Sequence, residues 1–404
     1  MSAPTRQGSL FALAGLFLAA LALRPQLVGI GPLLPEIQDD LAVSHGVAGL
    51  LGAIPVLCMG LFAPPAALLA GRLGARNAIA LCIALIAAFG LGRALVPGAE
   101  GLILLTFGVG AGMGLAGALL PVAVKQRFRD RPAFGTGVYA TAIQLGSAVS
   151  AAVSVPLAQA TFGWRGALIV FSIFTAGLIV AWLLLVREDP QEDRATTSPP
   201  RLPWRSRTAW LLVALFALLS IVYYGFNAWL PASYLERGWE QGSTGNLLAV
   251  LNAAALPASL ILPFAADRIG SRRRYLAVAA AVLTAAAAGV VLLPDGGWLW
   301  VIIFGAAMGT LFPLILTLPL DVADRPADVG AVAGLMLGAG YSLSAVSPVG
   351  LGLVRDATGS FSASLWLVVA SGAVLFLLTL LVSPDRLRSG ISRGATPGPG
   401  APLM

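Results

Sequence analysis

The strings Gly71-Arg72-Leu73-Gly74-Ala75-Arg76 and Asp267-Arg268-Ile269-Gly270-Ser271-Arg272 stand 196 residues apart, each directly after a long apolar run. The same offset relates Leu34-Pro35 to Leu230-Pro231 and Gly163 to Gly359, so three anchors agree on one register. A chain of 404 residues that repeats once at this period, and is apolar almost throughout, reads as two homologous helical bundles facing one another in a membrane.

Composition supports this and excludes a soluble protein. Hydrophobic residues are 58% and charged residues 11% of the chain, against roughly 45–50% and 25% in soluble domains. Mean hydropathy is +0.88. Backbone polar groups in hydrocarbon must be satisfied within the crossing segment, so the expected spans are helices of roughly 17–25 apolar residues. Twelve such stretches fit: 9–31, 47–69, 78–96, 102–124, 134–158 and 167–186, then 209–230, 247–265, 275–293, 298–320, 329–354 and 361–382. The expected fold is all-α, with twelve transmembrane helices in two pseudo-symmetric six-helix bundles. The first bundle is 1–186, a charged, proline-rich linker 187–208 follows, the second bundle is 209–384, and a Gly- and Pro-rich disordered tail ends the chain at 385–404.

Basic residues are retained on the cytoplasmic face, which sets orientation. Of the 25 Lys and Arg, the opposite loops take only Arg93, Arg165, Arg237 and Arg355, and one span takes Arg24. All others fall on the side of both termini, so both termini are expected in the cytoplasm of a plasma-membrane protein. This one-sided charge also explains the net charge of +7 without nucleic acid as a partner. A lipid bilayer and a small solute are the expected partners, and a monomer is the expected state.

Enzyme chemistry has little to draw on. His45 is the one histidine, at the start of the second span, where a solvated helix-start residue or a proton relay are the two readings. Cys58 and Cys82 lie in apolar spans without metal-ligand spacing and read as packing residues. No cofactor or metal is expected. The run Gly108, Gly110, Gly112 and Gly114 sits inside a span and has the small-residue spacing of close helix packing rather than of a phosphate loop.

Arg24 is the residue most in need of explanation. It lies about fifteen residues into a helix rising ~1.5 Å per residue, hence near the midplane. A guanidinium keeps its charge, and placing it there costs from ~3 to more than 10 kcal/mol. Three offsets are open: an anionic solute in a water-filled cavity, snorkelling to headgroups, or backbone carbonyls freed by Pro25. The 196-residue offset maps Arg24, Val28 and Gly31 onto Ser220, Tyr224 and Asn227, one face of the seventh span. Both faces are expected to line a central cavity with Tyr223, and with Gln144 and Tyr341 as further candidates; helix-to-helix hydrogen bonding is the alternative for the polar groups. Glu36 and Asp321, near span ends, are the carboxylates left for proton coupling.

The paired loop strings resemble the motif that joins the second to the third and the eighth to the ninth helices in the major facilitator superfamily. There, Asp and Arg residues engage a neighbouring helix end and hold the cytoplasmic side together. The resemblance implies such a latch for Arg72, Arg76, Asp267, Arg268 and Arg272, although Gly71 stands where the first copy would carry its acid. A finer resemblance, to the cyanate and nitroimidazole permeases, rests on Leu23-Arg24-Pro25, Gly31-Pro32-Leu33-Leu34-Pro35-Glu36-Ile37 and Gly163-Trp164-Arg165. In the second half it rests on Tyr224, Trp229-Leu230-Pro231, Gly340-Tyr341, Pro348, Gly350, Asp356 and Gly359. It implies alternating-access transport of small anions or small heteroaromatics, with Arg24 facing substrate. That family often has Asn two positions before this Arg, where this chain has Ala22. A drug or metabolite exporter with a mainly aromatic cavity is the alternative within transport, and a membrane sensor would lack an output domain.

The charge distribution predicts that topology reporters at Arg6 and after Pro384 report cytoplasm and one near Trp239 reports the opposite side. A cytoplasmic signal at Trp239 would overturn the twelve-span reading.

Overall fold

The computed structural model describes residues 6–127, 132–186, 202–269, 272–322 and 326–382. Among them the regular structure is entirely helical. The first pass is three helices in series, α1 (Arg6–Leu21), α2 (Pro25–Val28) and α3 (Leu34–Leu41), with a 3-10 turn at Gly31–Leu33. The second pass is α4 (His45–Leu61), continued past Phe62 into the start of α5 (Ala63–Leu95). At Gly74 the backbone leaves helical geometry, with φ 75° and ψ 154°, and the rest of α5 is the third pass. Three more, α6 (Ala99–Arg127), α7 (Pro132–Ala160) and α8 (Trp164–Leu185), complete the first half.

The second half holds α9 (Arg207–Glu236), α10 (Gln241–Ile269), α11 (Arg272–Leu292) and α12 (Gly297–Val322). A pass interrupted at Ala345, made of α13 (Pro326–Ser344) and α14 (Val346–Thr358), and then α15 (Phe361–Thr379) complete it. Among the described residues ten stretches are long and apolar enough, by length and composition, to cross a membrane, and α4 is a shorter apolar helix. The repeat is visible in the backbone. Gly163 and Gly359, mates at the 196-residue offset, both have positive φ, 68° and 77°. Each stands just before the last helix of its half, where only a residue without Cβ turns the chain at no steric cost.

Two expected spans differ from the structure in informative ways. The first, expected as one helix over 9–31, breaks after Leu21 and continues to Leu41. Pro25 has no N–H and its ring collides with the carbonyl four residues back, so a helix cannot run through it undisturbed. The turn tightens instead: Leu23 N donates to Ala20 O at 3.2 Å and Arg24 N to Leu21 O at 3.4 Å. The second, expected over 47–69, is interrupted at Phe62, just before Pro64 and Pro65. The glycine run of α6 packs as its spacing implies: a Cβ on Gly114 would lie 2.4 Å from Cys58 O of α4.

At one end the two halves touch backbone to backbone. A Cβ on Gly31 would lie 2.3 Å from Asn227 O, and one on Gly49 would lie 2.5 Å from Pro348 O. Beside this junction, Asp356 of α14 caps the start of α4 in the other half. Its carboxylate accepts from His45 N at 3.1 Å and Gly46 N at 2.8 Å, and lies 2.7 Å from His45 Nδ1. A carboxylate on exposed helix-start amides stabilises by roughly 0.5–2 kcal/mol. The His45 ring also packs against Trp229 and Phe361, at 5.6 and 5.4 Å between centroids.

Gly49→Leu should force the halves apart at this junction. A cysteine introduced at Asn227, which is buried there, is then expected to react faster with a membrane-impermeant maleimide than it does with Gly49 intact. Equal rates would contradict the close crossing.

Candidate functional site

The site lies between the halves at the break in the first pass. Arg24 occupies the N-cap position of α2, and Pro25 behind it prevents a regular helix from carrying the side chain past. The residue is 7% exposed, so its guanidinium is inside the protein rather than at a headgroup surface. The groups acting on it are Tyr224, Tyr223 and Tyr341 of the second half, and no carboxylate is among them. Its Nε and Nη1 are buried with no hydrogen-bond partner. Burying even neutral donors unpaired is costly, and a charged fork far more so.

The tyrosines form one cluster. Tyr223 and Tyr224 are edge to face at 5.1 Å between centroids, Tyr341 lies 6.3 Å from Tyr224, and Phe216 lies 4.9 Å from Tyr341. Tyr139 of α7 acts on Tyr341 from the first half, so four of the chain's six tyrosines gather here. Such walls exclude water while presenting polarised ring edges and hydroxyls. The phenols differ in commitment. Tyr223 donates to Asn252 Oδ1 at 2.8 Å, whereas Tyr224 donates to the weak acceptor Met59 Sδ at 3.8 Å and turns its hydroxyl oxygen toward Arg24.

Asn227 is held from two sides: its Nδ2 donates to Tyr223 O at 2.9 Å, and its Oδ1 accepts from Asn252 Nδ2 at 3.4 Å. A cavity of about 20 Å3 adjoins this network, lined by Val28, Gly31, Tyr224, Asn227, Ala228 and Pro348 among others. That is room for about one water, so the site is closed toward the junction of Gly31 and Asn227. Of the residues expected to line a central cavity, Val28, Gly31, Tyr224 and Asn227 line this one, and Arg24, Ser220, Tyr223, Gln144 and Tyr341 are not among its lining residues. Gln144 is half-buried on α7, beside the Gly146 backbone that packs on Arg24, and makes no side-chain hydrogen bond among the described residues.

Residues 10–348 match the profile of the Major Facilitator Superfamily. The chain belongs to this superfamily. It is 32% identical over 374 residues to the cyanate transport protein CynX of Escherichia coli K12, covering 92% of this chain and 97% of that one. It is 29% identical to the 2-nitroimidazole transporter of the same organism, covering 93% and 95%. In structure it superposes on a bacterial homologue of the human lysosomal transporter Spinster with a TM-score of 0.78 at 18% identity, covering 98% and 100%. The chain is therefore a multi-pass membrane transporter by family, and not an enzyme.

Of the superfamily's loop motif, Arg76 reaches a helix end. It donates to Leu183 O at 2.7 Å and to Val186 O, carbonyls that the last turn of α8 leaves unpaired. Trp182 Nε1 returns a bond to Arg76 O at 2.9 Å. Arg72 is exposed, and the side chains of Asp267, Arg268, Arg272 and Asp321 lie outside the described residues. Glu36 accepts from Trp164 N at 2.9 Å and thereby caps α8.

One expectation is corrected. Arg93, counted above with the loops although it falls near the end of the expected span 78–96, lies in the last turn of α5 and is fully buried. It binds the broken first pass through Gln26. Asn252 escaped the sequence reading, although a lone amide inside the apolar stretch 247–265 is a signal of the right kind.

Proposed function

We propose that this transporter moves a small anion or a strongly polar small heteroaromatic by alternating access, with Arg24 as the group that binds it. The observation that carries this is a buried guanidinium, unpartnered on Nε and Nη1, aimed from the first half at tyrosines of the second. A planar fork of N–H donors suits a carboxylate-like or cyanate-like group bidentately. The similarity to transporters of cyanate and 2-nitroimidazole supports the same solute class. The aromatic walls favour a second reading, export of a planar ring compound, in which Arg24 orients a polar substituent.

Alternating access needs a site that both halves complete, and this one takes its charge from α2 and its phenols from α9 and α13. Asp356 on the start of α4 and the crossing of Gly49 with Pro348 are the contacts that opening at that end must break. The bias of basic residues supports cytoplasmic termini, with the closed end facing outward, in the plasma membrane of the cell; a single chain suffices to form the site. Among the described residues around Arg24 no Asp, Glu or His stands ready to carry a proton, and Arg24 itself holds its charge permanently. A weak acid that brings its own proton, anion exchange or downhill flow are the modes this arrangement supports.

Arg24→Ala is expected to abolish uptake of cyanate and 2-nitroimidazole into proteoliposomes at unchanged insertion. Arg24→Lys should recover no more than roughly a tenth of it, because a point charge does not reproduce the fork. Uptake by Arg24→Ala at the unsubstituted level would overturn the assignment.

A further inference from the structure

The first half buries a second arginine. Arg93 is fully buried in α5 and, like Arg24, has no carboxylate among its hydrogen-bond partners in the described residues. Its Nη2 donates to Gln26 O at 2.9 Å and to Gln26 Oε1, and its Nη1 lies 3.4 Å from Thr106 Oγ1 of α6. Gln26 in turn donates from Nε2 to Ser172 Oγ at 2.8 Å and Leu168 O at 3.3 Å, both on α8. A residue of the four-residue helix α2 is thus tied directly to α5 and α8 and, through Arg93, to α6. One turn on, Gly29 O accepts from Ser154 Oγ of α7 at 2.7 Å.

Residues two apart in a helical segment point to nearly opposite sides. With Gln26 drawn inward to α5 and α8, Arg24 is turned outward to the second half, where the tyrosines are. The repeat supplies an internal control. At the 196-residue offset, Gln26, Arg93, Thr106 and Ser172 become Val222, Gly289, Ile302 and Val368, all apolar. There α9 runs unbroken from Arg207 to Glu236. Pro25, whose mate is Ile221, starts the break, and the polar cluster around it is replaced by apolar residues in the second half.

We propose that Arg93 is a positioning residue: through Gln26 it holds the broken turn of the first pass so that Arg24 faces the tyrosine cluster. This rests on the reading of Arg24 as the substrate-binding group. A buried cation replaced together with its partners by apolar residues leaves no orphaned charge, so the fold should survive the change. Purely structural and positioning roles therefore separate.

The test joins Gln26→Val, Arg93→Leu, Thr106→Ile and Ser172→Val in the full chain. Two readouts follow: maleimide labelling of a cysteine placed at Val28, and counterflow of cyanate and 2-nitroimidazole in proteoliposomes. The variant is expected to insert and stay monodisperse, to change labelling by about fivefold or more, and to lose transport by about tenfold or more. Transport equal to that of the unsubstituted protein, with or without changed labelling, overturns the proposal. Should this variant fail to insert, Arg93→Lys carries the test: a higher KM with Vmax within about twofold supports positioning, and an unchanged KM overturns it. If the unsubstituted protein moves neither probe, the substrate reading fails by itself and labelling alone decides the role of Arg93: unchanged labelling overturns it, and the fivefold change supports it.

Discussion

A permanent positive charge held inside a membrane protein, away from water and from any carboxylate among the described residues, is the constraint on which the rest of this structure depends. Arg24 cannot neutralise itself, and leaving it unpaired is costly. The chain accepts that cost at a particular place: the break in the first pass, where Pro25 interrupts the helix and the side chain enters the space between the halves. Around it stand phenols, whose hydroxyls are weakly committed at Tyr224 and firmly committed at Tyr223. Such a surrounding tolerates the cation without saturating it, which is what a reversible anion site requires.

The two halves share a fold but divide the labour. Both carry the positive-φ glycine before their last helix. The first half supplies the broken pass, the two buried arginines and the polar cluster that braces them. The second supplies a continuous α9 with Tyr223, Tyr224 and Asn227, and the carboxylate of Asp356 that caps α4 from across the interface. A solute bound at Arg24 would touch both halves, so its affinity couples directly to their relative position.

Much of this was legible in the sequence because it depends on local chemistry. The paired loop strings and the Leu-Pro and Gly anchors disclosed the repeat; the apolar runs disclosed the passes; Arg24 stood out as a cation where none belongs. The mapping of Val28 and Gly31 onto Tyr224 and Asn227 followed from helical geometry and repeat symmetry alone. What escaped depends on contacts distant in the chain. Arg93 sits just ahead of Val96-Pro97-Gly98 and looks like a loop residue until its guanidinium is seen to reach Gln26. His45 reads as a helix-start residue, which it is, while its pairing with Asp356, far along the chain, has no local signature. Asn252 was hidden by the apolar composition of its neighbours.

The central claim is that the protein leaves Nε and Nη1 of the Arg24 guanidinium unpartnered in order to bind a solute. Equilibrium binding of labelled cyanate to the purified protein, measured beside the Arg24→Ala protein in the same detergent, tests it most directly. The account predicts one saturable site per chain that 2-nitroimidazole, or small anions other than cyanate, displace and that the substitution removes. Binding of equal affinity and stoichiometry to both proteins would contradict it.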